Sequence, residues 1–124
     1  MRVVTKRVGE PLKQGDVSLT IENMQKMVGG YIEQMYLPHG ILAFYNEDAK
    51  LLKNGSGPNF VIRAKGKPTQ TTEGDVFFCA FDDDGNNRGL SVEQMKWLND
   101  SFELVGNIEC EEKRRYPLYA LTLD

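Results

Sequence analysis

The sequence is poor in the side chains most often used for nucleophilic and metal chemistry. It holds a single histidine, His39, and two cysteines, Cys79 and Cys110, in 124 residues. With no second imidazole, a His-based zinc site or a Ser/Cys–His dyad would rest on one residue, and that residue stands in the turn composition Pro38-His39-Gly40. Cys79 lies inside the apolar run Val76-Phe77-Phe78-Cys79-Ala80-Phe81, where burial raises a thiol's pKa and hides it, whereas Cys110 sits among glutamates. With no secretory leader and no cysteine spacing pattern, both read as reduced thiols in a cytosol. No apolar stretch approaches the ~18 residues of a membrane span. Neither G-x-G-x-x-G nor G-x-x-x-x-G-K-[ST] occurs, so Gly29-Gly30 reads as a helix C-cap rather than a phosphate loop. Positive charge is not in excess either. Fifteen Lys and Arg face eighteen Asp and Glu, a net charge of −3, which argues against a protein built mainly to hold phosphate backbones.

What is present describes one α+β domain spanning residues 1–124, since this length supports one hydrophobic core. The β-branched start, Met1 to Val8, predicts a strand ended by Gly9-Glu10-Pro11. Thr20 is placed as an N-cap, with Leu19 set to staple onto Met24, for a short amphipathic helix carrying Ile21, Met24, Met27 and Val28 on one face. Tyr31–Leu37 and Ile41–Asn46 form a hairpin about Pro38-His39-Gly40. Glu47–Lys53 suits a turn of helix. Asn54 to Gly74, rich in glycine and proline, predicts a long functional loop. Val76–Phe81 is apolar without alternation, as in a central strand covered on both faces. Ser91 with Gln94 forms a capping box for a second helix running to about Val105, with Val92, Met95, Leu98, Phe102 and Val105 as its core stripe. Tyr116 to Leu123 closes the chain as a strand, with Pro117 indicating a strand start or an edge. The predicted fold is α+β, a mainly antiparallel sheet of four or five strands with two main helices.

Met27-Val28-Gly29-Gly30-Tyr31-Ile32-Glu33, Tyr45-Asn46-Glu47-Asp48-Ala49-Lys50-Leu51, and Asp82-Asp83-Asp84-Gly85-Asn86 with Leu90-Ser91-Val92-Glu93-Gln94 carry a resemblance. Together they resemble the domain-of-unknown-function 3846 family, over about two-thirds of the chain. Between Asn54 and Gly74 the likeness lapses, and Asn59 alone answers a Pro-x-Asn segment of that family. No activity comes with the resemblance. It implies an accessory protein of a phage or mobile element in a bacterial host cytoplasm.

Several groups of residues are candidates for a site. Asp82, Asp84, Asn86 and Glu93 take the first, third, fifth and twelfth places of a calcium loop, although Asn87 stands where the sharp-turn glycine belongs, and a solvated turn is the simpler reading. No other cofactor is indicated. Arg63-Ala64-Lys65-Gly66-Lys67 and Lys113-Arg114-Arg115-Tyr116 offer two basic clusters, with Phe60 or Tyr116 as a stacking ring. Glu109, Glu111 and Glu112 offset the second cluster. Trp97 and Leu104 fall on a flank of the second helix away from its core stripe, packed within the fold or exposed for association.

These readings favour a non-enzymatic binding or interaction module. It would engage a protein or small molecule through the 54–74 segment and the adjoining sheet edge, with Asn59, Phe60, Arg63, Lys65, Trp97 and Leu104 as binding candidates. A homo-oligomer through Trp97 and Leu104 is consistent with this. A nucleic-acid accessory protein and a small enzyme using Glu33, Glu47 and Asp48 are the alternatives.

Overall fold

The structure, a computed structural model, describes residues 1–48, 58–109 and 115–123. The expected helical turn over Glu47–Lys53 falls mostly outside these residues, as do Cys110, Lys113 and Arg114. The described strands form two sheets, not one. The first, of six strands, follows the order β2 (Lys13–Asp16), β1 (Arg2–Lys6), β7 (Val76–Phe81), β4 (Ile41–Asn46), β3 (Ile32–Leu37), with the short β8 (Asn87–Arg88) on the end of β7. The second runs β6 (Lys67–Glu73), β5 (Pro58–Ala64), β10 (Arg115–Thr122), β9 (Phe102–Glu109). Every ladder is antiparallel except β5 with β10, where Tyr119 pairs with Phe60.

Strand alternation sorts the side chains of the first sheet into two cores, because successive residues point to opposite faces. Val3, Leu42, Phe44, Phe77 and Cys79 point to one side, where Met24 and Val28 of helix α1 (Ile21–Val28) cover them. Val4, Ile41, Ala43, Val76, Phe78 and Ala80 point to the other, against Phe60, Ile62 and Leu121 of the second sheet. β7 is buried on both faces and lies between β1 and β4, which explains its unbroken apolar run. Helix α2 (Val92–Ser101) adds the fully buried Leu98 to the inter-sheet core.

Local chemistry accounts for the helix ends. The Thr20 hydroxyl accepts from Asn23 N, and Leu19 packs in the same core as Met24. Ser91 and Gln94 complete their capping box, and Gln94 Nε2 also donates to His39 O at 2.8 Å, latching α2 onto the β3–β4 turn. His39 in turn places its ring 5.1 Å from that of Trp97.

Two expectations are corrected, and one is narrowed. The 54–74 segment is no loop where it is described, because β5 and β6 form a hairpin about Lys65-Gly66, both at positive φ. Helix α2 ends at Ser101, since Phe102 turns extended and sets its ring edge-on to Phe60 at 4.9 Å and Phe78 at 5.8 Å. Val92 is exposed, and Leu104 and Val105 belong to a strand. Pro117 stands near the start of β10, which is the strand-start form of the expectation rather than the sheet-edge form. It pairs with Asn107 of β9, before the β5 ladder begins at Tyr119, so no β5 bond needs its missing N–H.

The two glycines after α1 have different reasons. Gly29 caps the helix at φ 79°, with its N–H on Gln25 O. Gly30 makes room: a Cβ there would stand 2.8 Å from Asn46 Nδ2, which donates to Val28 O while Asn46 Oδ1 accepts from Asp48 N. Gly30→Ala should displace this buried amide and cost about 1–3 kcal/mol in urea unfolding. Gly29→Ala, with open space around it but strained backbone, should cost about 1 kcal/mol.

Candidate functional site

The edge strands β3 and β6 lie on the same side of the sandwich, and Gln70 Nε2 reaches Met35 Sδ across the gap at 3.4 Å. Beside that contact a cleft of about 120 Å³ opens between the sheets. Its walls are Met35, Tyr45, Asn46 and Glu47 on one side and Gln70 to Glu73 on the other. Asn46 is fixed by the bonds just described. Thr72 is fixed as well: its hydroxyl lies 3.2 Å from both the N–H and the O of Phe60, spanning the irregularity between Pro58 and Val61.

The ladder places Glu33 directly opposite Tyr45, so both side chains share the inter-sheet face, where Tyr45 lines the cleft. Burial, and then the Glu33 charge, hold the Tyr45 phenol above its ordinary pKa. Tyr45 is therefore a protonated donor at neutral pH. Neither Glu33 nor Glu47 makes an ion pair among the described residues.

Away from the cleft-lining residues, Lys6 joins the two sheets. It follows Val4 on the inward face of β1 and is fully buried. Nζ donates to Asn59 Oδ1 at 2.8 Å and Arg7 O at 2.9 Å, and sits 4.4 Å from the centre of the Tyr119 ring. Asn59 Nδ2 donates to Lys6 O and Gly74 O, both at 2.7 Å. Burial lowers the Lys6 pKa to about 8, against the opposing pull of Asp75 and Glu10.

The model of the domain of unknown function DUF3846 matches residues 1–103. The chain belongs to this family. No curated protein and no solved structure matched it. The DUF3846 match takes in the whole cleft and the Lys6–Asn59 pair, and it stops inside β9, short of Tyr119.

Within this DUF3846 fold the candidates from sequence are scattered. Asn59 and Phe60 are fully buried, so Phe60 cannot stack on a base and Asn59 serves Lys6. Arg63 pairs with Glu103 at 3.2 Å. Lys65 occupies the β5–β6 turn at φ 55°. Trp97 packs against the inter-sheet core, while Leu104 is exposed on β9, so the two do not share a helix flank. Asp82 Oδ1 accepts from the N–H groups of Asp84 and Asn86, and Oδ2 from Arg88 Nε at 2.8 Å. The Asn86 N–H, followed by Arg88, holds the Asp82 carboxyl below its usual pKa. Glu93 stands in the first turn of α2, and no group of three or more metal-binding side chains occurs among the described residues. Burial pushes the Cys79 thiol up to about 12. No helix among the described residues is long and apolar enough to cross a membrane. Of the carboxylates singled out from sequence, Glu47 lines the cleft and Glu33 stands opposite Tyr45 on the adjoining strand. The facing strand β6 was missed, because its polar sequence gives no core signal.

Two measurements check the Lys6 arrangement. The folded pKa lies below the unfolded value of 10.5, so the folded chain releases its proton first and stability gains from Lys6 as pH rises from about 8 to about 10.5. Cys79 works the other way above about pH 9, because its pKa is raised on folding. The readout is therefore the stability difference between the wild type and Lys6→Met, which should move towards the wild type over that range. Asn59→Leu should cost about 3 kcal/mol by leaving the ammonium short of a partner, and adding Lys6→Met should recover much of it.

Proposed function

We propose that this protein is a non-enzymatic interaction module that binds through the side of the sandwich where β3 and the cleft meet. The observation that carries this reading is the position of the cleft beside the outer edge of β3, with which no other strand among the described residues pairs. Tyr31 O accepts from Glu47 N, which fixes the phase of the β3–β4 ladder. Odd-numbered residues of β3 therefore direct their backbone groups at β4, and Ile32, Gln34 and Tyr36 direct theirs outward. An outward row of donors and acceptors next to a polar cleft suits a partner that supplies backbone as well as side chains.

The groups able to do covalent chemistry point the same way. Cys79 is buried in the α1 core, Lys6 is enclosed by its partners, and His39 stands at the far end of the β3–β4 hairpin against Trp97. Glu47 and Glu73 on facing walls are the feature that favours an acid–base enzyme instead. As part of this reading, the module works in a bacterial cytoplasm as an accessory protein of a phage or mobile element, a setting that the DUF3846 resemblance supports.

Hydrogen exchange tests the reading. In an extract of the bacterium carrying the gene, the Ile32, Gln34 and Tyr36 amides should gain protection relative to the purified chain. Protection confined to β9 or to the Asp82–Arg88 turn, with β3 unchanged, would count against it.

A further inference from the structure

Among the described residues, the strands that end the two sheets are not equivalent. β2 has four residues and carries Lys13 and Asp16, and β6 begins Lys67-Pro68. β9 is interrupted where Leu118 and Tyr119 pair with Gly106 and Leu104, leaving Val105 bulged out. Short strands, charge, proline and bulges all discourage pairing with another strand. β3 has none of these devices beyond Glu33. Its register with β4 is continuous from Ile32 to Leu37, so its outer edge is a regular template for one more strand.

A strand laid on that edge would present alternate side chains to two unlike surroundings. On the α1 side they meet Ile32, Gln34 and Tyr36, with the Tyr36 ring 66% exposed and edge-on to Phe81 at 5.2 Å. On the inter-sheet side they meet the row containing Glu33 and Met35, and next to it Tyr45 and Glu47. No cation among the described residues pairs with either glutamate. The first row suits apolar side chains. The second suits cations, through the acceptor oxygens of two carboxylates.

Resting on the interaction-module reading above, we infer that the partner is an extended protein segment of alternating basic and apolar residues, which adds to β3 as a further strand and places Lys or Arg at Glu33 and Glu47. A second copy of this chain fits less well, because an antiparallel pairing centred on Gln34 sets Glu33 opposite Met35 and brings no cation to either glutamate.

The probe is the acetylated and amidated peptide Thr-Lys-Val-Lys-Val-Lys-Thr, with Gln and Glu replacing Lys in two controls. Binding is followed by calorimetry and amide shifts. The Lys peptide should bind with shifts centred on Ile32, Gln34 and Tyr36, at least about tenfold tighter than the Gln peptide and more weakly as salt rises. Glu33→Gln and Glu47→Gln should each weaken the Lys peptide about threefold and leave the Gln peptide unchanged. Gln34→Pro removes an outward N–H without touching the β4 ladder and should abolish binding of both peptides; the glutamate variants carry the test alone if it does not fold.

Equal affinity for the Lys and Gln peptides at β3 would overturn the charge inference and leave the edge reading standing. A dimer that Gln34→Pro dissolves would do the same and make a second copy the occupant. Binding mapped away from β3 would overturn both. No binding by any peptide to a monomeric chain would overturn the inference.

Discussion

Everything between the two sheets has to accommodate one buried ammonium group. Lys6 occupies a position on β1 where alternation after Val4 calls for an apolar side chain, and its charge has no water to turn to. The surrounding structure meets that demand from both layers: a backbone carbonyl from Arg7, an amide oxygen from Asn59 on β5, and a ring face from Tyr119 on β10. Asn59 is held in turn by Lys6 O and Gly74 O, so β1, β5 and the β6–β7 turn share one network. Such a pairing adds little net stability over an apolar substitute, but loss of one member is costly. Its effect is to specify how the sheets sit on one another, since a slip of one residue would strand the charge.

That network was hidden in the sequence, and the reason is physical. A lysine in a β-branched run reads as an outward residue, and its partner lies more than fifty positions away. Asn59 drew attention only through a family pattern, and the structure gives it a supporting rather than a ligand-facing position. The same limit applied to β6. Lys67 to Glu73 has no apolar side chain other than Pro68, so its strand character comes from pairing with β5 and from the Thr72 hydroxyl clasping Phe60. The far end of α2 was ambiguous because Leu98, Phe102 and Val105 fit a helical period as well as an alternating one, and the aromatic contacts of Phe102 with Phe60 and Phe78 decide for the strand.

Signals within a few residues were legible. Thr20 and Gly29 bracket α1, Ser91 and Gln94 start α2, Pro38-His39-Gly40 turns β3 into β4, and the uninterrupted Val76–Phe81 run proves central. Half of the candidate site could be anticipated in the same way, because Glu33, Tyr45 and Glu47 lie on one hairpin. The other wall could not, because it arrives on a strand from the second sheet. Sequence can place carboxylates near one another along a hairpin, whereas a cleft needs two layers.

The parallel pairing of β5 with β10 has a kinetic consequence. Phe60 and Tyr119 are neighbours across a ladder, yet the segments between them include β6, β7, α2 and β9. Contacts of such long sequence separation form slowly, because a large loop must close before any bond rewards it. During synthesis β1 emerges early and β10 late, so the first sheet has time to pair while the ring of Tyr119 is still absent. Water can keep the Lys6 ammonium hydrated over that interval, and its final dehydration would mark the moment the second sheet closes.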